Sequence, residues 1–341
     1  MKRPIKLLVP WMPTTERLLP YLRRIDGAQW YTNFGVLERE LRTRLEKKYG
    51  AYVVTVSSCT AGLELMYRHL HRDLGMQEIG LPSLTFPATI MAAEREGLQV
   101  KFEDVDPLTW THPAVAGFGA SVEGEWIDAA AAFGEQEVRH FATNYGQTAV
   151  FSLHATKPVG AGEGGYIVTH DSHLAHKFRL QTNFGIDQTA GDRRCVHWGT
   201  NAKLSEYHAA VALASLDAYD RPSWQQLDMC YRTHLYGVPV VQQLRPVGAY
   251  PILAVKLPHL GGSIIPAMLI GTILNSRGIE TRRWYWPQMH SYYPGVQPEL
   301  PETQDLGNRL LGLPYHLWLS EDDVAYVCEN LADVLRECGV S

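Results

Sequence analysis

Between residues 50 and 220 short β-rich runs alternate with helical patterns, and that alternation restricts the chain to an α/β fold with a mostly parallel sheet. The β-rich runs are AYVVTVSS, EIGLP, QVKFEDV, GEWIDA, TAVFSL and GGYIVTH. Helical patterns lie in CTAGLELMYRHL, ATIMAAEREG and SHLAHKFRLQTNFG. Residues 35–49 set leucines and a tyrosine at helical spacing against charges on the other face, which predicts an amphipathic helix ending at Gly50. Residues 203–220 predict a long helix stopped by Arg221–Pro222. From about residue 240 the texture changes. PILAVKLP predicts a strand, IIPAMLIGTILNSRG a helix, IETRRWYW a strand, and SEDDVAYVCENLADVLRECG a terminal helix with Ser320 as N-cap. The expected division is a large domain over 1–225, which takes in the N-terminal segment, and a small α/β domain over 226–341.

A chain of 341 residues, 45% apolar and 20% charged, can bury a sizeable core in one large domain or in two. Its net charge of -5 gives no support for nucleic-acid binding, so any phosphate site must be local. The five cysteines, Cys59, Cys195, Cys230, Cys328 and Cys338, are odd in number and lack CxxC spacing. Free thiols in a reducing cytosol fit them better than disulfides or a zinc site, and no metal is expected. The N-terminal apolar run is short and broken by Pro10, so it does not read as a signal peptide. No apolar run is long enough to span a bilayer, and a cytoplasmic protein is expected.

Two strings carry chemistry. FSLHATKPVGAGEGG places Lys157 in an apolar, glycine-rich setting, and WIDAAAAFG places Asp128 at the end of a buried run. Burial pushes a lysine amine toward its neutral, nucleophilic form. A carboxylate ending a buried strand needs a cationic partner. One cofactor asks for both groups. Pyridoxal phosphate (PLP) forms a Schiff base with a lysine, and its pyridinium nitrogen pairs with an acid.

SSCTAGLEL, LPSLTFPAT, DVDPLTW, DAAAAFG, FSLHATK with GEGG, GTNAKLSEYHAA and GIETRRWYWPQMH occur in this order. As a set they resemble the DegT/DnrJ/EryC1/StrS family of PLP-dependent sugar aminotransferases. The resemblance implies PLP fold type I, the aspartate-aminotransferase-like fold. It also implies transfer of an amino group from L-glutamate to a nucleotide-linked 4-keto- or 3-keto-6-deoxy sugar, with a homodimer sharing its active sites. A dehydratase of the same fold and a non-catalytic member are the alternatives. Lys157 speaks against the first, because some family dehydratases carry histidine there. The pairing of Asp128 with Lys157 speaks against the second.

The resemblance also assigns roles. On its own, Ser57–Ala61 reads as an N-cap; the family places the cofactor phosphate there, matching Thr60 and Ala61, with Cys59 where many relatives have glycine. Ser152 matches a phosphate-binding serine. Phe86 reads alone as a core aromatic, whereas the family stacks an aromatic on the cofactor ring there. Asp128 reads as a helix cap or as the acid that keeps the ring nitrogen protonated. Lys157, at the family's spacing beyond Asp128, would bond the cofactor and move the proton. Ala131 stands where many relatives carry histidine or glutamine. His154 reads as packing or a supporting contact, and Glu163 as an anchor of the GEGG loop.

In the family an asparagine of the GTNAKLSE segment reaches the partner's cofactor phosphate; Asn201 and Lys203 both stand open for that contact. Arg282, Arg283, Tyr285 and His290 are expected at the substrate, through bidentate arginines and stacking rings. Between DVDPLTW and DAAAAFG the chain is shorter than its relatives. AVAGFG is expected to keep a strand there, while the flanking helices are missing. That would leave a sheet face bare or covered by a partner subunit.

Overall fold

Apolar alternation along three central strands sorts their side chains onto two faces, and each face receives its own layer of helices. The computed structural model describes residues 4–112, 126–133, 147–187, 191–262, 265–295 and 298–340. Strands β1 (Tyr52–Val56), β4 (Trp126–Asp128), β5 (Thr148–Ser152) and β6 (Gly165–Thr169) form one sheet in the order β1–β6–β5–β4. β4 and β5 are parallel, and β6 is antiparallel to both β1 and β5. β1, β4 and β5 therefore point one way and β6 alone is reversed, which agrees with a mostly parallel sheet. β2 (Glu78–Pro82) and β3 (Gln99–Glu103) form a separate parallel pair. The helix between them is α4 (Pro87–Arg95), the crossover that a parallel pair needs.

On one face Val53, Ala149, Phe151, Tyr166 and Val168 pack under α1 (Thr15–Ala28), α2 (Val36–Tyr49) and α6 (Glu206–Ala218). The Phe151 and Tyr166 rings stack there at 4.9 Å. On the other face Val54, Val56, Val150 and Ile167 pack under α3 (Cys59–Arg68), α4 and α5 (Ser172–Thr182). α2 ends at Gly50, whose φ of 62° suits a residue without a Cβ.

A second core lies among α7 (Arg221–His234), α8 (Pro266–Ser276), α10 (Glu321–Glu337) and the antiparallel sheet β7 (Val241–Gln242), β8 (Leu253–Lys256), β9 (Leu310–Leu313). α9 (Pro301–Arg309) leads into β9. Ile5 joins this core from the N-terminal end and pairs with Ile279. Ser320 caps α10 in a reciprocal capping box with Asp323, as the sequence predicts. No helix of the described residues is long and apolar enough to cross a membrane.

Three local readings differ. IETRRWYW is not a strand: it makes only two isolated bridges, Ile279 to Ile5 and Arg282 to Gly312. Its side chains instead form local stacks, Arg282 over Trp284 and Arg283 over Trp286, and Pro287 has no N–H to give a ladder. The helix expected over 203–220 begins at Glu206, because Ser205 caps it by accepting from the His208 N–H. Pro222 starts α7 rather than stopping α6, since a proline in a first turn lacks only an N–H that has no helical partner. AVAGFG lies outside the described residues.

Asp104, just beyond β3, ties the two cores together. Its carboxylate accepts from the Glu302 N–H (2.9 Å), the Thr303 N–H (2.8 Å) and the Thr303 hydroxyl (2.7 Å), at the start of α9. These are helix-end donors with no intrahelical partner. Asp104→Ala should lower stability by about 0.5–2 kcal/mol, the usual cost of losing an N-cap acceptor. Asp104→Asn should recover part of it. Urea unfolding of the two variants checks this, and equal loss in both would contradict a capping role.

Candidate functional site

Two glycines let α3 lie directly on the sheet. A Cβ on Gly62 would stand 2.6 Å from Val150 Cγ1, and one on Gly165 would stand 2.8 Å from the Cys59 nitrogen. The start of α3 is thereby pressed against β5 and β6. Ser58 is the N-cap, its hydroxyl accepting from the Ala61 N–H at 3.1 Å. Thr60 and Ala61 are half-buried in the exposed-donor end of this helix, which suits an anion. Ser152, opposite Gly165 in register, ends β5 beside that helix start; its hydroxyl accepts from the His154 N–H at 3.2 Å.

Asp128 is the last residue of β4 and is 8% exposed. Its Oδ2 accepts from the Thr89 hydroxyl at 2.6 Å and its Oδ1 from the Ala130 N–H at 3.0 Å. Burial pushes the carboxyl pKa above its ordinary value, while those two bonds and the Lys157 charge oppose the rise. Lys157 follows β5 in a turn closed by its own N–H to the His154 carbonyl, 2.9 Å. Burial pushes its amine pKa down, with Cys59 and Asp128 pulling the other way. Cys59 lies in the same field, its thiol raised well above the ordinary value by burial and then by Asp128. Such a thiol is inert rather than nucleophilic.

Phe86 is not a core residue. It caps the start of α4, is 58% exposed, and meets Tyr285 edge to face with centroids 6.2 Å apart. Tyr285 has its hydroxyl pushed up to about 12, first by burial and then by the Asp128 charge. Asp128, Lys157, Cys59, Phe86 and Tyr285 are thus brought to one place from five separate stretches of chain. His154 and Glu163 brace the loop beyond Lys157, with His154 Nε2 3.7 Å from the Glu163 carboxylate.

The remaining predicted residues make their contacts elsewhere. Asn201 accepts from Lys203 Nζ at 2.6 Å, and Lys203 lies over the Phe184 ring. Arg283 donates to the Gly307 carbonyl at 2.8 Å. His290 pairs with the Ser83 hydroxyl at 2.7 Å. Arg282 stacks on Trp284.

Sequence reasoning missed Thr89 and Tyr67. Thr89 is fully buried, bonded to Asp128 and also to the Thr85 hydroxyl one turn back, 3.0 Å. Two hydroxyls four residues apart in LTFPAT were the available signal. Tyr67 is fully buried in α3, its hydroxyl has no hydrogen-bond partner among the described residues, and the Asp128 and Cys59 charges act on it. These residues fit PLP. A buried acid and a half-buried amine share one field, a helix start offers N–H donors, and an aromatic face stands exposed at the opening.

The DegT/DnrJ/EryC1/StrS aminotransferase family model matches residues 14–116 and 126–332. Its break falls in the segment that the sequence marks as short. Protein Rv3402c of Mycobacterium tuberculosis (strain ATCC 25618 / H37Rv) is 30% identical over 371 aligned residues, covering 95% of this chain and 88% of the relative. The dTDP-4-amino-4,6-dideoxy-D-glucose transaminase of Shigella dysenteriae is 26% identical, covering 98% of this chain and 100% of its own. Among solved structures, DesI in the presence of its TDP-sugar product superposes with a TM-score of 0.78 at 29% identity, covering 100% of this chain and 94% of its own. Sugar aminotransferase CalS13 from Micromonospora echinospora shares the fold, with a TM-score of 0.78 at 22% identity, over 96% of this chain and 99% of its own. The fold is the expected PLP fold type I.

A lysine whose pKa is depressed by folding opposes folding wherever the unfolded chain holds the extra proton. Stability therefore rises with pH from the lowered value up to the ordinary 10.5. In the cofactor-free protein Lys157→Met should raise the thermal midpoint at pH 7, and the gain should shrink as the pH approaches that of an ordinary lysine. Calorimetry across this range checks it; a less stable variant at pH 7 would contradict the burial argument.

Proposed function

The chain belongs to the DegT/DnrJ/EryC1/StrS aminotransferase family, and from that premise we propose that it is a PLP-dependent sugar aminotransferase. It moves an amino group from L-glutamate to a nucleotide-linked keto-6-deoxy sugar and works as a cytoplasmic homodimer. The observation that carries this reading is the buried Asp128 and the half-buried Lys157 acting on each other in one shared field. Lys157 in place also favours transamination over dehydration.

When bound, PLP supplies an aldehyde that takes up amino groups and a ring that accepts an electron pair. Asp128, held by Thr89 and Ala130, keeps a proton on the ring nitrogen. Lys157, whose amine burial pushes toward its neutral form, would carry the proton to and from the amine-bearing carbon. Thr60, Ala61 and Ser152 take the phosphate at the start of α3. Phe86 lies against the ring. Ala131 contributes no polar group, and the Asp128 charge reaches the hydroxyls of Tyr285 and Tyr67. Arg282, Arg283, Tyr285, His290 and Lys203 receive the sugar nucleotide. The names of the Shigella dysenteriae relative and of DesI with its TDP-sugar product support a nucleotide-linked hexose.

Exposed aromatics support the dimer. Trp198 is 82% exposed and stands near Asn201 in sequence, and Tyr31 stacks on Tyr207 at 6.3 Å while both stay exposed. Apolar surface of this kind marks contact surfaces. In such a dimer the family resemblance assigns Asn201 or Lys203 to the partner's cofactor phosphate.

Adding L-glutamate to the purified holoprotein should shift its visible absorbance, and turnover with a nucleotide keto-sugar should follow ping-pong kinetics. Asp128→Asn should keep the bound cofactor yet lower kcat by about a hundredfold or more, the scale of a lost proton-handling group. No spectral response to any amino donor would contradict the reading.

A further inference from the structure

Away from the amino-transfer site, the end of α7 meets the start of α10 and three different donor groups face one another. Cys230 and His234 stand four residues apart on α7 and so share a helix face. Glu321 is the first residue of α10. A sulfur, a ring nitrogen and a carboxylate oxygen from these residues all lie within 4.8 Å of one another. His234 Nε2 is 3.9 Å from Glu321 Oε1.

The backbone beneath the cluster is fixed on both sides. Tyr231, between Cys230 and His234, is fully buried and donates its hydroxyl to the Pro314 carbonyl. Leu227 and Tyr231 of α7 pack in the same core as Val324, Val327 and Leu331 of α10. The capping box occupies Ser320 and Asp323, while the Glu321 carboxylate turns to His234.

One sulfur, one imidazole nitrogen and one carboxylate oxygen form a mixed set that suits zinc, whereas magnesium and calcium take oxygen ligands. Bonds of about 2.0–2.3 Å in a tetrahedron put donors roughly 3.3–3.8 Å apart. Closing from 4.8 Å needs a shift of about 1 Å. Side-chain rotation at Cys230 and at Glu321, 83% exposed, would have to supply it, and a fourth position is left for water. The absence of CxxC spacing does not bear on this cluster, because its third donor comes from a distant stretch of chain.

We propose that Cys230, His234 and Glu321 bind one zinc ion, which ties α7 to α10. On binding, the Cys230 thiol proton passes to the buffer, a zinc–sulfur bond forms, and waters leave the ion; no group is oxidised or reduced.

The test uses tag-free holoprotein incubated with zinc, dialysed against metal-free buffer and assayed for zinc by mass spectrometry. The wild type and a Cys338→Ser control should retain one zinc per chain, which Cys230→Ser and His234→Ala should lose. Glu321→Gln should weaken binding at least about tenfold, the lower bound for disturbing a metal's surrounding shell. Cobalt should give a thiolate charge-transfer band in the wild type and none in Cys230→Ser. Retention of no zinc by the wild type, or of equal zinc by Cys230→Ser and His234→Ala, would overturn the site. Unchanged affinity in Glu321→Gln would overturn the three-donor set.

Discussion

The desolvation of two opposite charges, Asp128 and Lys157, is what the rest of the architecture serves. Neither group pays for its burial in the protein alone: the carboxyl is driven up and the amine down by the same loss of water. Their mutual attraction offsets this only in part, as is usual for buried pairs. The close seat of α3 on β5 and β6, which Gly62 and Gly165 permit, presses the helix start and Cys59 against the sheet beside them. Thr89 then fixes which way the carboxylate points. A site that gives up stability to hold reactive groups ready is the expected pattern for a catalytic centre.

The second core matters because it completes the opening of this site. Ser83, after β2, receives the His290 N–H on its hydroxyl and the Met289 N–H on its carbonyl. Asp104, after β3, caps α9. Both anchors follow strands of the β2–β3 pair, so the 282–290 segment is pinned where Tyr285 can meet Phe86. A regular strand would alternate its side chains to two faces. The irregular path instead brings Arg283 over Trp286, three residues on, which a strand would put on opposite faces.

Much of this was legible in the sequence where the signal is local. The capping box at Ser320, the end of α2 at Gly50, and the apolar runs of β1, β5 and β6 follow from nearest-neighbour chemistry. Asp128 and Lys157 were legible because a charge inside an apolar run demands an explanation. Phe86 was ambiguous, since an aromatic letter does not say whether its face is covered, and its exposure is a tertiary fact. Thr89 was invisible because its role depends on a strand far along the chain. IETRRWYW misled because β-prone residues form a strand only when they run alongside a partner over several residues. The segment meets β9 only at Gly312 and the N-terminal stretch only at Ile5, so neither contact extends into a ladder.

Reduction of the holoprotein with borohydride, followed by peptide mapping, tests the central claim most directly. Reduction fixes the cofactor to whichever side chain it is bonded. The account predicts one label per chain, on the peptide carrying Lys157. A label on any other lysine would contradict it and take the proposed site with it.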